Sequence, residues 1–118
     1  MRQTFTRDER ISREHDILHT LYKGTRLPTP LANYYFAANS KNLRRLCVIV
    51  SRRIGNACVR NRVKRCFREA FRLNKNNLAA GTDIIVKMNS AVSQKFSFKE
   101  AEQALLSACR SKGKLTNK

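Results

Sequence analysis

Acidic residues are scarce in this chain: eight Asp and Glu stand against 25 Lys and Arg among 118 residues, a formal net charge of +17 at pH 7. A small domain shaped only for solubility carries a net charge of roughly 2–8. Self-repulsion among so many cations works against a compact state unless a polyanion offsets it, which makes a neutral small-metabolite enzyme a poor reading. Glycine and proline are also few, four and two, and no Gly/Ser linker, internal repeat or low-complexity block divides the chain. No apolar run approaches the ~20 residues of a membrane helix; the longest is Leu46–Val50. Arg2, Arg7, Asp8, Glu9 and Arg10 interrupt any secretory apolar segment. A cytoplasmic location without a membrane partner is therefore expected. The four cysteines, Cys47, Cys58, Cys66 and Cys109, form no C-x-x-C pair. Two of them fall at apolar periodic positions, the pattern of reduced core thiols rather than of a disulfide framework or metal site.

What is present is enough apolar residue, 42%, for a real core, and a length that suits one domain spanning 1–118. The polar end, about 111–118, is expected to fray. A first helix is predicted over about Arg13–Lys23, capped by Ser12, with Glu14 and Asp16 in its first turn. Ile17 with Leu21 and Leu18 with Tyr22 give it one broad face, and Gly24 suits a left-handed C-terminal cap. Thr25–Leu31 reads as a short edge strand because its two prolines exclude a central place. Asn33–Ala38, about Leu43–Ser51 and Thr82–Met88 read as strands. The continuous run Leu46–Val50 implies cover on both faces and hence a central strand.

Val59, Val63, Cys66, Phe67, Ala70 and Phe71 form a helical stripe across Ala57–Leu73, with Asn56 as its N-cap. A last helix, about Phe98–Arg110, opens on a capping box of Ser97 and Glu100, flanked by Phe96 and Ala101 at the staple positions. Ala101, Ala104, Leu105 and Ala108 supply its buried side. The sum is a two-layer α+β domain, with helices mostly on one side of the sheet and open sheet surface on the other.

The charge is concentrated. Residues 41–72 hold eleven basic side chains and one acid, Glu69, a net +10, whereas the first forty hold six bases and four acids. On the 57–73 helix, Asn61, Arg62, Lys64, Arg65, Arg68 and Arg72 fall mostly opposite the apolar stripe, and Arg60 lies at its boundary. A merely solubilising face mixes Glu with Lys at i,i+4. Here like charges recur at that spacing, Arg60 with Lys64 and Lys64 with Arg68, a cost that phosphates would offset. Arginine predominates, and its planar fork grips phosphate oxygens in pairs. The turn Arg52-Arg53-Ile54-Gly55-Asn56 leads into the helix N-terminus, where backbone N–H groups and the dipole favour an anion. Asn56 has two possible tasks, helix capping or RNA contact. A helix-turn-helix and a zinc finger are both missing, and a dense arginine helix suits structured RNA better than DNA.

The segment Arg52-Arg-Ile-Gly-Asn-Ala-Cys-Val-Arg-Asn-Arg-Val-Lys-Arg-Cys-Phe-Arg-Glu-Ala-Phe-Arg72 closely resembles the signature of the bacterial ribonuclease P protein family, with Arg60-Asn61-Arg62 at its heart. The resemblance covers essentially the whole chain. It implies a fold like the second domain of ribosomal protein S5: a mixed sheet of about four strands, three helices and a left-handed βαβ crossover around the motif helix. General rules would have favoured a right-handed crossover, the hand seen in about 98% of cases. The resemblance also implies a protein subunit that binds the family's catalytic RNA and the single-stranded 5′ leader of precursor tRNA, assisting endonucleolytic removal of the leader. The RNA carries the cleavage, with one protein per RNA, and the isolated protein is expected to be inactive. Arg52, Arg53, Asn56, Arg60, Asn61, Arg62, Lys64, Arg65 and Arg68 carry over as RNA contacts or supports of that surface, and Gly55 as the turn residue.

A leader cleft between the first helix and the sheet is implied as well, with Ile17 and Leu21 at the helix positions, Phe36 on the strand and Lys87 near a leader phosphate. Tyr34 and Phe36 share one strand face and Tyr35 takes the other. Either set could stack on bases or pack in the core. For protein-borne cleavage an acid–base pair or acidic metal ligands would be needed. His15 and His19 stand at i,i+4 without an H-E-x-x-H pattern, and the acids are scattered. No catalytic residue and no protein metal site are assigned, and Mg²⁺ is expected mainly as the RNA's ion. A ribosome-associated structural protein of similar fold and a lone metal-dependent nuclease are the competing readings.

Overall fold

The computed structural model describes residues 9–11 and 13–113. Seven regular elements follow one another: α1 (Glu14–Lys23), β1 (Thr25–Pro28), β2 (Ala32–Ala38), β3 (Arg44–Ile49), α2 (Ala57–Asn74), β4 (Thr82–Met88) and α3 (Phe98–Ser111). The sheet order is β1-β2-β4-β3. β2 pairs antiparallel with β1 and with β4, while β3 and β4 run parallel with α2 as the connection between them. This is an α+β fold with three helices and a four-stranded mixed sheet.

Strand alternation sorts the sheet into two unlike faces. Ala32, Tyr34, Phe36, Leu46, Val48, Ile84, Val86 and Met88 turn to α2 and α3, where Val59, Val63, Cys66, Phe67, Ala70, Phe71, Ala101, Leu105, Ala108 and Cys109 complete the main core. Phe67 and Phe96 stack there with centroids 5.9 Å apart. The opposite face carries a small cluster, Ile11, Tyr35 and Ile85, packed by Ile17 and Leu21 of α1 and by Cys47 and Ile49. Much of the face expected to be open is therefore roofed by α1.

Four expectations change. β3 is an edge strand, not a central one: apolar residues on both its faces report cover above and below, which is independent of having a neighbour on each edge. The chain at Arg10 and Ile11 lies along that outer edge, with the Ile11 N–H donating to the Leu46 carbonyl at 3.1 Å. Gly24 is extended (φ −77°, ψ 169°) rather than left-handed. A Cβ there would come within 2.4 Å of the Thr20 oxygen and 2.7 Å of the Phe36 oxygen, so glycine is needed for close approach as α1 runs straight into β1. The face of α1 splits, because Ile17 and Leu21 pack while Leu18 and Tyr22 stay 42% and 79% exposed. Finally, Arg13 occupies the α1 N-cap position without a side-chain cap. The expected cap Ser12 lies outside the described residues, as does most of the 111–118 end.

Candidate nucleic-acid interface

A 3-10 turn, Arg52–Ile54, delivers the chain to α2 and anchors itself by burying Ile54. Gly55 follows because a Cβ would meet Val59 Cγ1 at 2.7 Å. The Val59 N–H donates to Asn56 Oδ1 at 3.0 Å, which makes Asn56 the helix cap. The predicted stripe, Val59, Val63, Cys66, Phe67, Ala70 and Phe71, is buried in full. Its burial turns the cationic side outward: Arg52, Arg53, Asn56, Asn61, Arg62 and Arg65 are exposed, and Arg60, Lys64 and Arg68 are half-buried.

Among the described residues no ion pair engages any of these cations. The acid of the helix, Glu69, pairs with Arg72, and the Arg72 hydrogen bond holds the Glu69 carboxyl below its usual range. Arg62 Nε donates to the Phe96 carbonyl, tying its stem to the loop before α3. Arg65 and Arg62, with Cys58 and Gln94, line a shallow crevice of about 230 Å³. Arg60 Nε is buried without a hydrogen-bond partner. On the other flank, burial and then the charge of Arg10 draw Arg68 below the ordinary guanidinium range. Burial raises the Cys47 thiol, and Arg68 and Lys64 oppose that rise. Cys47 belongs to the α1-side cluster, so the charges of Arg68 and Lys64 are felt at the β3 edge.

That second face is covered only in part by α1. Arg26, Tyr35, Ile85 and Cys47 form one register row across it, and Asn33, Lys87 and Ile49 the next. Ile17 and Leu21 bring α1 down on this face, and Lys87 and Arg26 are exposed. Ile17, Leu21 and Lys87 thus share the expected side. Tyr34 and Phe36 do not, and their assignment to the cleft is corrected. They are 1% and 2% exposed on the α2/α3 side, and burial raises the Tyr34 phenol's pKa. The aromatic on the α1 side is Tyr35, itself only 9% exposed and packed in the small cluster under α1. A sequence signal for this existed: β2 alternates an all-apolar set, Ala32, Tyr34 and Phe36, with one that contains Asn33, and β4 likewise sets Ile84, Val86 and Met88 against Asp83 and Lys87. The mixed set marks the less buried face.

Towards the α1 N-terminus the same face carries charge. Arg45 Nε and Nη2 donate to Asp83 at 2.7 and 2.6 Å, and Arg45 Nη1 lies 3.4 Å from Asp16 Oδ2. Burial pushes the Asp16 carboxyl up, but Arg45, with Lys41 and His15, more than offsets this and leaves it lowered. His15, 92% exposed, stands 3.7 Å from Asp16. Among the described residues, no three His, Cys, Asp or Glu side chains gather as metal ligands, and no helix is long and apolar enough to cross a membrane.

An arginine-faced helix on one side of a mixed sheet, with a partly covered face carrying Arg26 and Lys87 on the other, is the arrangement of an RNA-binding α+β protein. The family model described as Ribonuclease P matches residues 5–112. The ribonuclease P protein component of Thermotoga maritima is 35% identical over 96 residues, 81% of this chain and 82% of the relative. That of Clostridium botulinum is 29% identical over 108 residues, 91% and 96% of the two chains. Among solved structures, the Thermotoga maritima RNase P protein superposes with a TM-score of 0.77 at 30% identity, covering 87% of this chain and 96% of the other. The Staphylococcus aureus RNase P protein gives 0.77 at 26% identity, with 92% and 98% covered. The chain belongs to the ribonuclease P protein family. That membership makes it a component of a tRNA-processing ribonucleoprotein, with an RNA as partner, and sets aside the ribosome-associated reading.

Proposed function

We propose that this chain holds the catalytic RNA of ribonuclease P on the outward face of α2 and receives the 5′ leader of precursor tRNA in the cleft between α1 and the sheet. The observation that carries the reading is the absence of protein counter-charges, among the described residues, on Arg52, Arg53, Arg62 and Arg65 while the opposite side of the same helix is fully packed. Guanidinium forks so arranged suit phosphate oxygens, and the α2 N-terminus adds backbone N–H donors and the positive dipole end. Capping uses Asn56 Oδ1, which leaves its amide hydrogens for RNA, so the two tasks of this residue are compatible. Asn61, Arg60, Lys64 and Arg68 extend the same surface.

In the cleft, the half-buried Ile17 and Leu21, backed by the buried Tyr35, offer apolar contact, and the exposed Lys87 a cation for a leader phosphate. Tethering the leader there adds binding energy that the RNA alone lacks, and cations between two RNAs lower their repulsion. Cleavage belongs to the RNA, in a cytoplasmic complex with one protein per RNA. Among the described residues the carboxylates gather into no magnesium cage: Asp16 and Asp83 serve Arg45, Glu69 serves Arg72, and Glu100 completes the Ser97 capping box. Mg²⁺ is assigned to RNA phosphates. Mixing the purified protein with a ribonuclease P RNA and a precursor tRNA at low magnesium tests this reading. The mature 5′ end is expected only when the RNA is present, with the protein raising the yield. Cleavage by the protein alone would contradict it.

A further inference from the structure

The two ends of α1 are held differently. At its C-terminus the helix passes through Gly24 directly into β1, with the Gly24 N–H on the Thr20 carbonyl at 3.0 Å and no room for a Cβ against the Phe36 carbonyl. At its N-terminus there is no side-chain cap. There a crevice of about 230 Å³, lined by His15, Asp16, His19, Asn39 and Lys41 among others, lies between the helix and the sheet. Among the described residues, packing holds this end only through Ile17 against the small cluster. Leu18 and Tyr22 point to solvent, and Ile17 and Leu21 are only half-buried. Among the described residues, the polar link from α1 to the sheet is Asp16 with Arg45.

Arg45 is prepared for that link. It is 6% exposed, and its Nε and Nη2 are fixed on Asp83, which also accepts from Asn39 Nδ2 at 2.7 Å. Asp83 alone balances its charge, so Arg45 does not need a second carboxylate. What remains is Nη1, aimed at α1. A chain with eight acids places one of them at the point where Nη1 arrives. Asp16 lies eight residues from Gly24, about 12 Å along the helix, so a tilt of about 10° pivoting at Gly24 would move it, and Ile17 with it, by ~2 Å. A shift of that size is enough to open or close a cleft one base thick.

We propose that Asp16 is a positioning residue, which through Arg45 fixes the seat of α1 and thereby the width of the cleft bounded by Ile17, Tyr35 and Lys87. The inference rests on the reading of that cleft as the leader's path. Asp16→Asn and Asp16→Glu in the full chain test it with two readouts. In the first, amide hydrogen exchange of the protein alone is followed. Asp16→Asn is expected to speed exchange at Ile17–Leu21 by about tenfold while β2 and β4 are unchanged, since local opening is separable from global unfolding. In the second, the complex with catalytic RNA is titrated with precursor tRNA and with tRNA lacking a leader. Asp16→Asn should lower the preference for the leader-bearing form by about fivefold, a loss of contact energy of the size that one displaced wall costs. Binding of leaderless tRNA and of the catalytic RNA should not change, and Asp16→Glu should recover part of the preference. Unchanged exchange in α1, or faster exchange in β4 as well, would overturn the proposal, as would faster α1 exchange with the leader preference intact. A wild-type complex that ignores the leader would instead sink the reading of the cleft, while the exchange arm still decides the seat.

Discussion

On the α2/α3 side of the sheet, Tyr34, Phe36, Leu46, Ile84 and Val86 are each buried to 2% exposure or less. On the α1 side, Asn33, Asp83, Lys87, Arg26 and Arg45 are interspersed with Tyr35, Ile85 and Cys47. The same four strands thus support a thick apolar core on one face and, on the other, a shallow cluster surrounded by charge. Burying apolar area is what stabilises a domain of this size, and the first face supplies most of it. The second face is left free to hold side chains in places where an RNA strand could meet them. The α2 helix serves both, since its stripe closes the core while its cations stay on the outside.

Truncating one apolar side chain on each side of the sheet is the strongest way to break this comparison. Phe67→Ala, in the core against Phe96, is expected to cost roughly 3–5 kcal/mol in urea unfolding. Leu21→Ala, half-buried under α1, should cost about 1 kcal/mol yet weaken leader binding. Equal costs would mean that the two faces share one core. Next in size is Asn56→Ala, which removes the α2 cap and should cost about 1 kcal/mol. A loss of RNA affinity larger than the loss of stability would separate its two tasks. The smallest effect is on acid stability. The Asp16 carboxyl is lowered from its ordinary value of 3.8, so its contribution is fully present above that value and is lost as pH falls through the lower folded one. Asp16→Asn should lower the neutral plateau slightly and flatten the acid limb below about pH 4, so that variant and wild type converge in acid. A variant destabilised only in acid, with its neutral plateau equal to wild type, would reverse the assigned sign.

These contrasts also show which features were legible in residues alone. The α2 stripe and its Asn56 cap could be read because a 3.6-residue period and a capping side chain are local properties. β4 and the Ser97–Glu100 box could be read for the same reason. The place of β3 could not, because Leu46–Val50 reports burial above and below a strand and carries no information about its neighbours in the sheet. Gly24 shows a similar limit: a glycine after a helix can serve a positive φ or a close approach, and only the tertiary contact with Phe36 decides. The Tyr34/Phe36 pair was separable from Tyr35 by alternation, but which set faced the cleft needed the polar company of Asn33 and Lys87 to be weighed across strands. The Asp16–Arg45–Asp83 group was invisible, since its members lie on α1, β3 and β4 and no spacing connects them.

The central claim is that the outward arginines of α2 and its entry turn hold phosphates, and that the exposed Arg53 and Arg65 do so without supporting the fold. The direct measurement is the affinity for catalytic RNA as a function of salt, for the wild type and for Arg53→Ala combined with Arg65→Ala, both exposed side chains. If about six phosphates are engaged, the slope of log K against log salt should lie near −5. The double variant should be shallower by about 2, with its unfolding free energy within about 0.5 kcal/mol of wild type. An unchanged slope in the variant, or a flat salt response in the wild type, would contradict the account.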